Sequence, residues 1–167
     1  GWTSHLRKQA MDESIKLSRQ SETLSSLQHD ALRQMFHWYT NTGDLYASVE
    51  ICKDIESLVT ELNDPSLRMD SHRRIGLLQL HLGNFELSLN RFSKARTMGG
   101  DGFIYRRAET LWFCGYPDQA LEMMTRMLRQ YDIESNPFRL VDVRLFAMHL
   151  AQRLGQPRRV RQLANEM

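Results

Sequence analysis

Four arginines recur in matching places ahead of glycines. Arg33 precedes Gly43, Arg73 and Arg74 precede Gly83, and Arg106 precedes Gly115. A guanidinium offers paired N–H donors that fit the two oxygens of a carboxylate or phosphate. His37 shares the stretch of Arg33, while Tyr105, Trp112 and Phe113 surround Arg106. Aromatic side chains beside guanidiniums are the anchors that dominate peptide recognition. The chemistry open to these residues is therefore capture of an anionic or apolar segment. The competing outcome is a solvated face, with Asp30, Asp70, Glu109 and Asp142 pairing with the arginines.

Catalytic constellations are missing. The chain has no Gly-rich phosphate loop, no His-Glu-x-x-His, no Cys-x-x-Cys and no Gly-x-Ser-x-Gly. No histidine has a second His or Cys three or four residues on, so His37, His72, His81 and His149 make a poor metal set. Met123, Met124 and Met127 read as core filler. The expectation is a non-enzymatic protein with no cofactor and no metal.

The elements that must position the arginines are helices. Leu80-His81-Leu82-Gly83-Asn84-Phe85 reads as a helix end, a one-glycine turn and a helix start. Gly83 suits the left-handed position after a helix, and Asn84 can cap the next one through its side-chain oxygen. Phe85, Ser88, Leu89, Phe92 and Ala95 then recur at helical spacing, and Gly76 would let two helices approach closely. The same turn returns at Gly43, Gly115 and Gly155, where Asp44 is a good cap and Pro117 and Pro157 suit the first helical position. Strand alternation never persists. One such hairpin cannot bury its own apolar face, so the chain is expected to be a stack of them, with about nine helices and one domain over residues 1–167.

In order, the units are a partial one over 1–27, then 28–62, 65–99, 101–133 and 136–167. The first helix places Leu6, Ala10, Ile15 and Leu17 on its drier side. Gly99-Gly100-Asp101-Gly102 is the expected hinge. Cys52 and Cys114 fall on apolar helical faces and read as buried free thiols of a reducing, cytoplasmic compartment. Composition is that of a folded domain, 41% apolar and 25% charged, and a net charge of +2 gives no reason to expect direct nucleic-acid contact. Arg158, Arg159 and Arg161 read as a solvated cluster. No apolar run reaches the ~18 residues of a membrane span. The chain begins without Met and stops inside a helix, which suggests a piece of a longer protein. Leu163, Ala164 and Met167 are then expected to be partly open, giving weak self-association.

Gly76, Gly83, Phe92 and Ala95 fall where the tetratricopeptide repeat places its small and aromatic residues, so the chain resembles that family. The resemblance implies an all-α, right-handed superhelical solenoid. Two stretches extend it: Asp64-Pro65-Ser66-Leu67 through Phe92-Ser93-Lys94-Ala95, and Ala108-Glu109-Thr110-Leu111-Trp112-Phe113-Cys114-Gly115-Tyr116-Pro117-Asp118-Gln119-Ala120-Leu121. Together they are similar to the repeat region of bacterial STAND-class signal-transduction ATPases and transcriptional regulators. The resemblance implies a sensor or regulatory segment that binds a protein or peptide, including the ATPase domain of its own parent. The alternative is a freestanding peptide receptor or chaperone that grips a short acidic or apolar segment. In such a stack the outgoing helices line a concave groove. Counting back from each glycine turn puts Arg33, His37, Arg73, Arg74, Tyr105, Arg106, Trp112 and Phe113 in it, with Asp142, Leu145, Phe146, His149, Gln152 and Arg153 in the last unit.

Overall fold

The computed structural model describes residues 2–18, 25–99, 104–130 and 137–165. Among these, every regular element is a helix: α1 (Trp2–Ser18), α2 (Ser25–Thr42), α3 (Leu45–Leu62), α4 (Pro65–His81), α5 (Phe85–Thr97), α6 (Ile104–Phe113), α7 (Pro117–Gln130), α8 (Pro137–Arg153) and α9 (Pro157–Asn165). Each helix packs on the next in chain order, and α2 also touches α4.

Four helix pairs are joined by one and the same turn. Gly43, Gly83, Gly115 and Gly155 all have φ between 67° and 84°, a region a side chain disfavours. The residue after each glycine donates its N–H to a carbonyl in the last turn of the preceding helix. These bonds are Asp44 to Tyr39 (2.9 Å), Asn84 to Gln79 (2.8 Å), Tyr116 to Leu111 (2.9 Å) and Gln156 to Ala151 (2.9 Å). This closure satisfies carbonyls that the helix end would otherwise leave unpaired. The following helices start as their residues dictate: Asp44 Oδ1 accepts from the Ala47 N–H, and α7 and α9 begin on Pro117 and Pro157. Asn84 departs from expectation. Its side chain makes no cap bond, and its Nδ2 donates to Gln79 Oε1 across the turn instead. Between units, Asn63 takes a left-handed φ of 49° and Asp64 Oδ1 accepts from the Ser66 and Leu67 N–H groups, so α4 starts on Pro65.

The core lies between the helices in two clusters. Leu32, Phe36, Ile55, Ile75, Leu78 and Phe92 belong to the first; Ala108, Met124, Val143, Leu150 and Leu163 belong to the second. They meet where α5 packs on α6. There Ser88 and Thr110, both fully buried, hold their hydroxyls 3.2 Å apart, each donating to a helix carbonyl at Gly76 or Arg106. The Phe85 and Phe113 rings stack over the same junction at 5.1 Å. Gly76 is the close approach foreseen from the sequence: a Cβ there would lie 2.9 Å from the Phe92 ring.

Three expectations need correction. Of the four α1 residues expected on the drier side, Ile15 is buried while Leu6, Ala10 and Leu17 are exposed, because among the described residues α1 has α2 as its one substantial neighbour. Cys52 is buried, and burial pushes its thiol up to about 12, but Cys114 sits half-buried in the turn after α6. Leu163 is fully covered by the second cluster, while Ala164 is exposed. Met167 and the Gly100–Gly102 part of the hinge lie outside the described residues.

Candidate functional site

The residues singled out in the sequence occupy the even-numbered helices and fall into three groups along them. The first lies between α2 and α4. Arg74, only 4% exposed, donates from Nε to Asp70 Oδ2 at 3.1 Å and from Nη1 to the His37 ring nitrogen Nε2. Its guanidinium also lies over the Phe36 ring, 5.9 Å from the centroid. Arg74 is thus a core group with its donors committed, and not a groove side chain open to solvent. The reason is local: Asp70 stands one turn before it on α4, and α2 closes over both. Arg73 stands 3.9 Å from the other Asp70 oxygen, and Arg33 pairs with Asp30 at 3.2 Å on the surface of α2.

His29 was missed in the sequence. It lies two turns before His37 on the same face of α2, and that spacing was the available signal. It is buried, with Nε2 3.8 Å from Asp70 Oδ2 and no hydrogen bond to that atom. Burial, countered in part by Asp70, keeps the His29 pKa below its ordinary value. His37 is also held low, by burial and then by the Arg74 and Arg33 charges.

The second group joins α4 to α6. Arg106 donates from Nη1 to Glu109 Oε2 at 2.7 Å and lies over the Tyr105 ring at 4.9 Å. Its field, after burial, lowers the pKa of His81 at the end of α4. Across both groups, four guanidiniums face three carboxylates, so this face has mixed charge and is not a bare cationic wall.

The third group is a cleft of about 200 Å³ between α6 and α8, lined by Glu109, Trp112, Phe113, Phe146, His149, Leu150 and Arg153. Corresponding positions from two units meet here, since Glu109 and His149 stand equally far from their glycines, as do Phe113 and Arg153. Arg153 Nε donates to His149 Nε2 at 2.9 Å, and among the described residues Arg153 has no ion pair. The cleft therefore offers aromatic walls, one cation at the rim and room for one large side chain. A second, wider groove of about 660 Å³ between α3 and α4 is lined by Glu56, Glu61, Arg68 and His72, charges of both signs, together with Val59. Arg91 crosses beside it, meeting Glu56 at 2.8 Å and His72 Nδ1 at 3.2 Å.

Among the described residues there is no group of three or more His, Cys, Asp or Glu side chains placed to hold a metal ion. No helix among them is long and apolar enough to cross a membrane. Comparison with protein-family models, with curated proteins and with solved structures finds no match to this chain. Among the described residues the molecule is a succession of helices, each packed on the next.

Proposed function

We propose that this chain is a non-enzymatic protein- or peptide-interaction module, a right-handed superhelical solenoid of tetratricopeptide-like hairpins. On this reading it is the cytoplasmic sensor or regulatory repeat region of a bacterial STAND-class signalling ATPase or transcriptional regulator. The observation that carries the binding role is the α6/α8 cleft, where Trp112, Phe113 and Phe146 form an apolar slot with Arg153 at its rim. A segment presenting one bulky apolar side chain beside an acidic one matches it in size and charge. The parent's own ATPase domain is the partner implied by the resemblance. The mixed-charge face of α2, α4 and α6 extends the contact and favours register over raw affinity.

The test is co-purification with the ATPase region encoded in the same reading frame, using wild type and Arg153→Glu. Arg153 is exposed and bonds only His149 among the described residues, so the variant should melt like wild type. We expect it to lose the partner, and wild-type binding to weaken as salt screens contacts beyond ~8–10 Å. A reading frame without an ATPase, or equal recovery by both proteins, would overturn this assignment.

A further inference from the structure

Three polar side chains of α4 line the groove between α3 and α4. Arg68, Ser71 and His72 stand three and four residues apart, so they share one side of the helix. Ser71 is 3% exposed, yet among the described residues its hydroxyl has no hydrogen-bond partner. Counting alike from the turn glycines, its place belongs to Ala31 in α2 and Val143 in α8, both buried in the core. A buried hydroxyl left without a partner costs the folded protein free energy, and an apolar side chain here would not. Because Ser71 lines the groove, a partner can reach it from there.

The neighbouring groups are also uncommitted. Arg91 of α5 donates to His72 Nδ1 at 3.2 Å, which leaves the proton of the neutral ring on Nε2. Burial, and then the Arg91 and Lys94 charges, hold the His72 pKa low against Glu56 and keep that ring neutral. Arg68 donates from Nη2 to Asn63 Oδ1 at 2.6 Å and has no carboxylate partner among the described residues. Glu61 lines the same groove from α3, and among the described residues it has no ion pair or hydrogen bond. Glu56, the other carboxylate on that wall, is taken by Arg91 at 2.8 Å. One cavity of about 660 Å³ thus holds three donors on α4 and a free carboxylate on α3, and Arg68 and Glu61 do not neutralise each other across it.

We propose that this groove binds a free α-amino acid, its carboxylate held by Arg68, Ser71 and His72 and its ammonium by Glu61. Guanidinium, hydroxyl and ring N–H are all donors, as a carboxylate requires. An ammonium has donors and no acceptor, and Glu61 is the uncommitted carboxylate that matches it. A simple anion would meet Glu61 and a simple amine would meet Arg68, so a ligand carrying both charges is favoured over either. The volume falls in the usual range of small-ligand sites and leaves room for the ligand's side chain beside Val59. The site lies on other helices than the α6/α8 cleft and does not depend on the function proposed for it.

The experiment is titration of the labelled full chain with each free L-amino acid in turn, followed by amide chemical shifts and by melting. At least one amino acid should give saturable shifts at Glu61 and from Arg68 to His72. It should also raise the melting temperature with the logarithm of its concentration, as expected for binding to the folded state. Its N-acetyl derivative and its amide each lack one charge and should bind roughly tenfold or more weakly, the loss of one charge-assisted contact. These two arms use wild type alone, so the result does not hang on a variant folding. Glu61→Gln, exposed and with no partner to lose, should melt like wild type and bind the amino acid more weakly. Ser71→Ala should melt at or above wild type without ligand and also bind more weakly. No saturable shift with any amino acid overturns the proposal, as does equal affinity for the N-acetyl derivative or unchanged affinity in either variant. Saturable shifts centred on α6 and α8 would put the ligand in the other cleft and overturn it as well.

Discussion

An arginine can only donate hydrogen bonds, so the His37 nitrogen that meets Arg74 must carry a lone pair. The fold therefore requires neutral His37. Burial, and then the Arg74 and Arg33 charges, hold its pKa below the ordinary 6.5 against the opposing charge of Asp70. As pH falls through 6.5, the unfolded chain takes up a proton that folded His37 resists, and stability declines until the folded pKa is passed. The other lowered histidines, His29, His72 and His81, act with the same sign. We predict a lower urea midpoint at pH 5 than at pH 7, and a smaller difference in His37→Gln, whose amide oxygen can still accept from Arg74. Equal pH dependence in both proteins would remove His37 from this role. The Asp70–Arg74 spacing was legible in the sequence as a one-turn pair. Its burial was not, because that depends on His37 and Phe36 arriving from α2, a contact between different units.

Helix boundaries were the most legible level, since each is set by a few local residues. Glycines with positive φ, Asp44, and the prolines opening α4, α7, α8 and α9 fix them. Gly83→Val should cost roughly 1–2 kcal/mol for forcing a Cβ into the left-handed region. Packing between elements gives a sharper test. An alanine at Gly76 would place its Cβ 2.9 Å from a Phe92 ring that is 4% exposed and has nowhere to swing. Gly76→Ala should therefore cost about 1–3 kcal/mol, and Phe92→Ala about 3–5 kcal/mol from the cavity it leaves. The two sites touch, so Gly76→Ala should cost less on a Phe92→Leu background than on wild type. Additive denaturation free energies would mean the helices are held apart by something else. The drier side of α1 was misread for a related reason: periodicity marks an apolar face but cannot say whether a neighbour covers it.

At the scale of the molecule, the two core clusters meet through a narrow polar and aromatic seam, Ser88 with Thr110 and Phe85 with Phe113. The even-numbered helices adjoin across units: α2 touches α4, Arg106 of α6 acts on His81 of α4, and α6 and α8 enclose the cleft. The repeat of one turn chemistry made the succession of hairpins readable. The pairing of Arg33, Arg73, Arg74 and Arg106 with carboxylates was open in the sequence because aspartates and glutamates lie within a turn of each. It moves the centre of the candidate site toward Trp112, Phe146 and Arg153. The most direct test is amide chemical-shift mapping of the labelled protein as the ATPase region is titrated in. The account predicts perturbations concentrated on α6 and α8 around Trp112, Phe146 and His149, extending to α2 and α4, and abolished by Arg153→Glu. Perturbations confined to α3, α5 and α7, or unchanged in that variant, would contradict it.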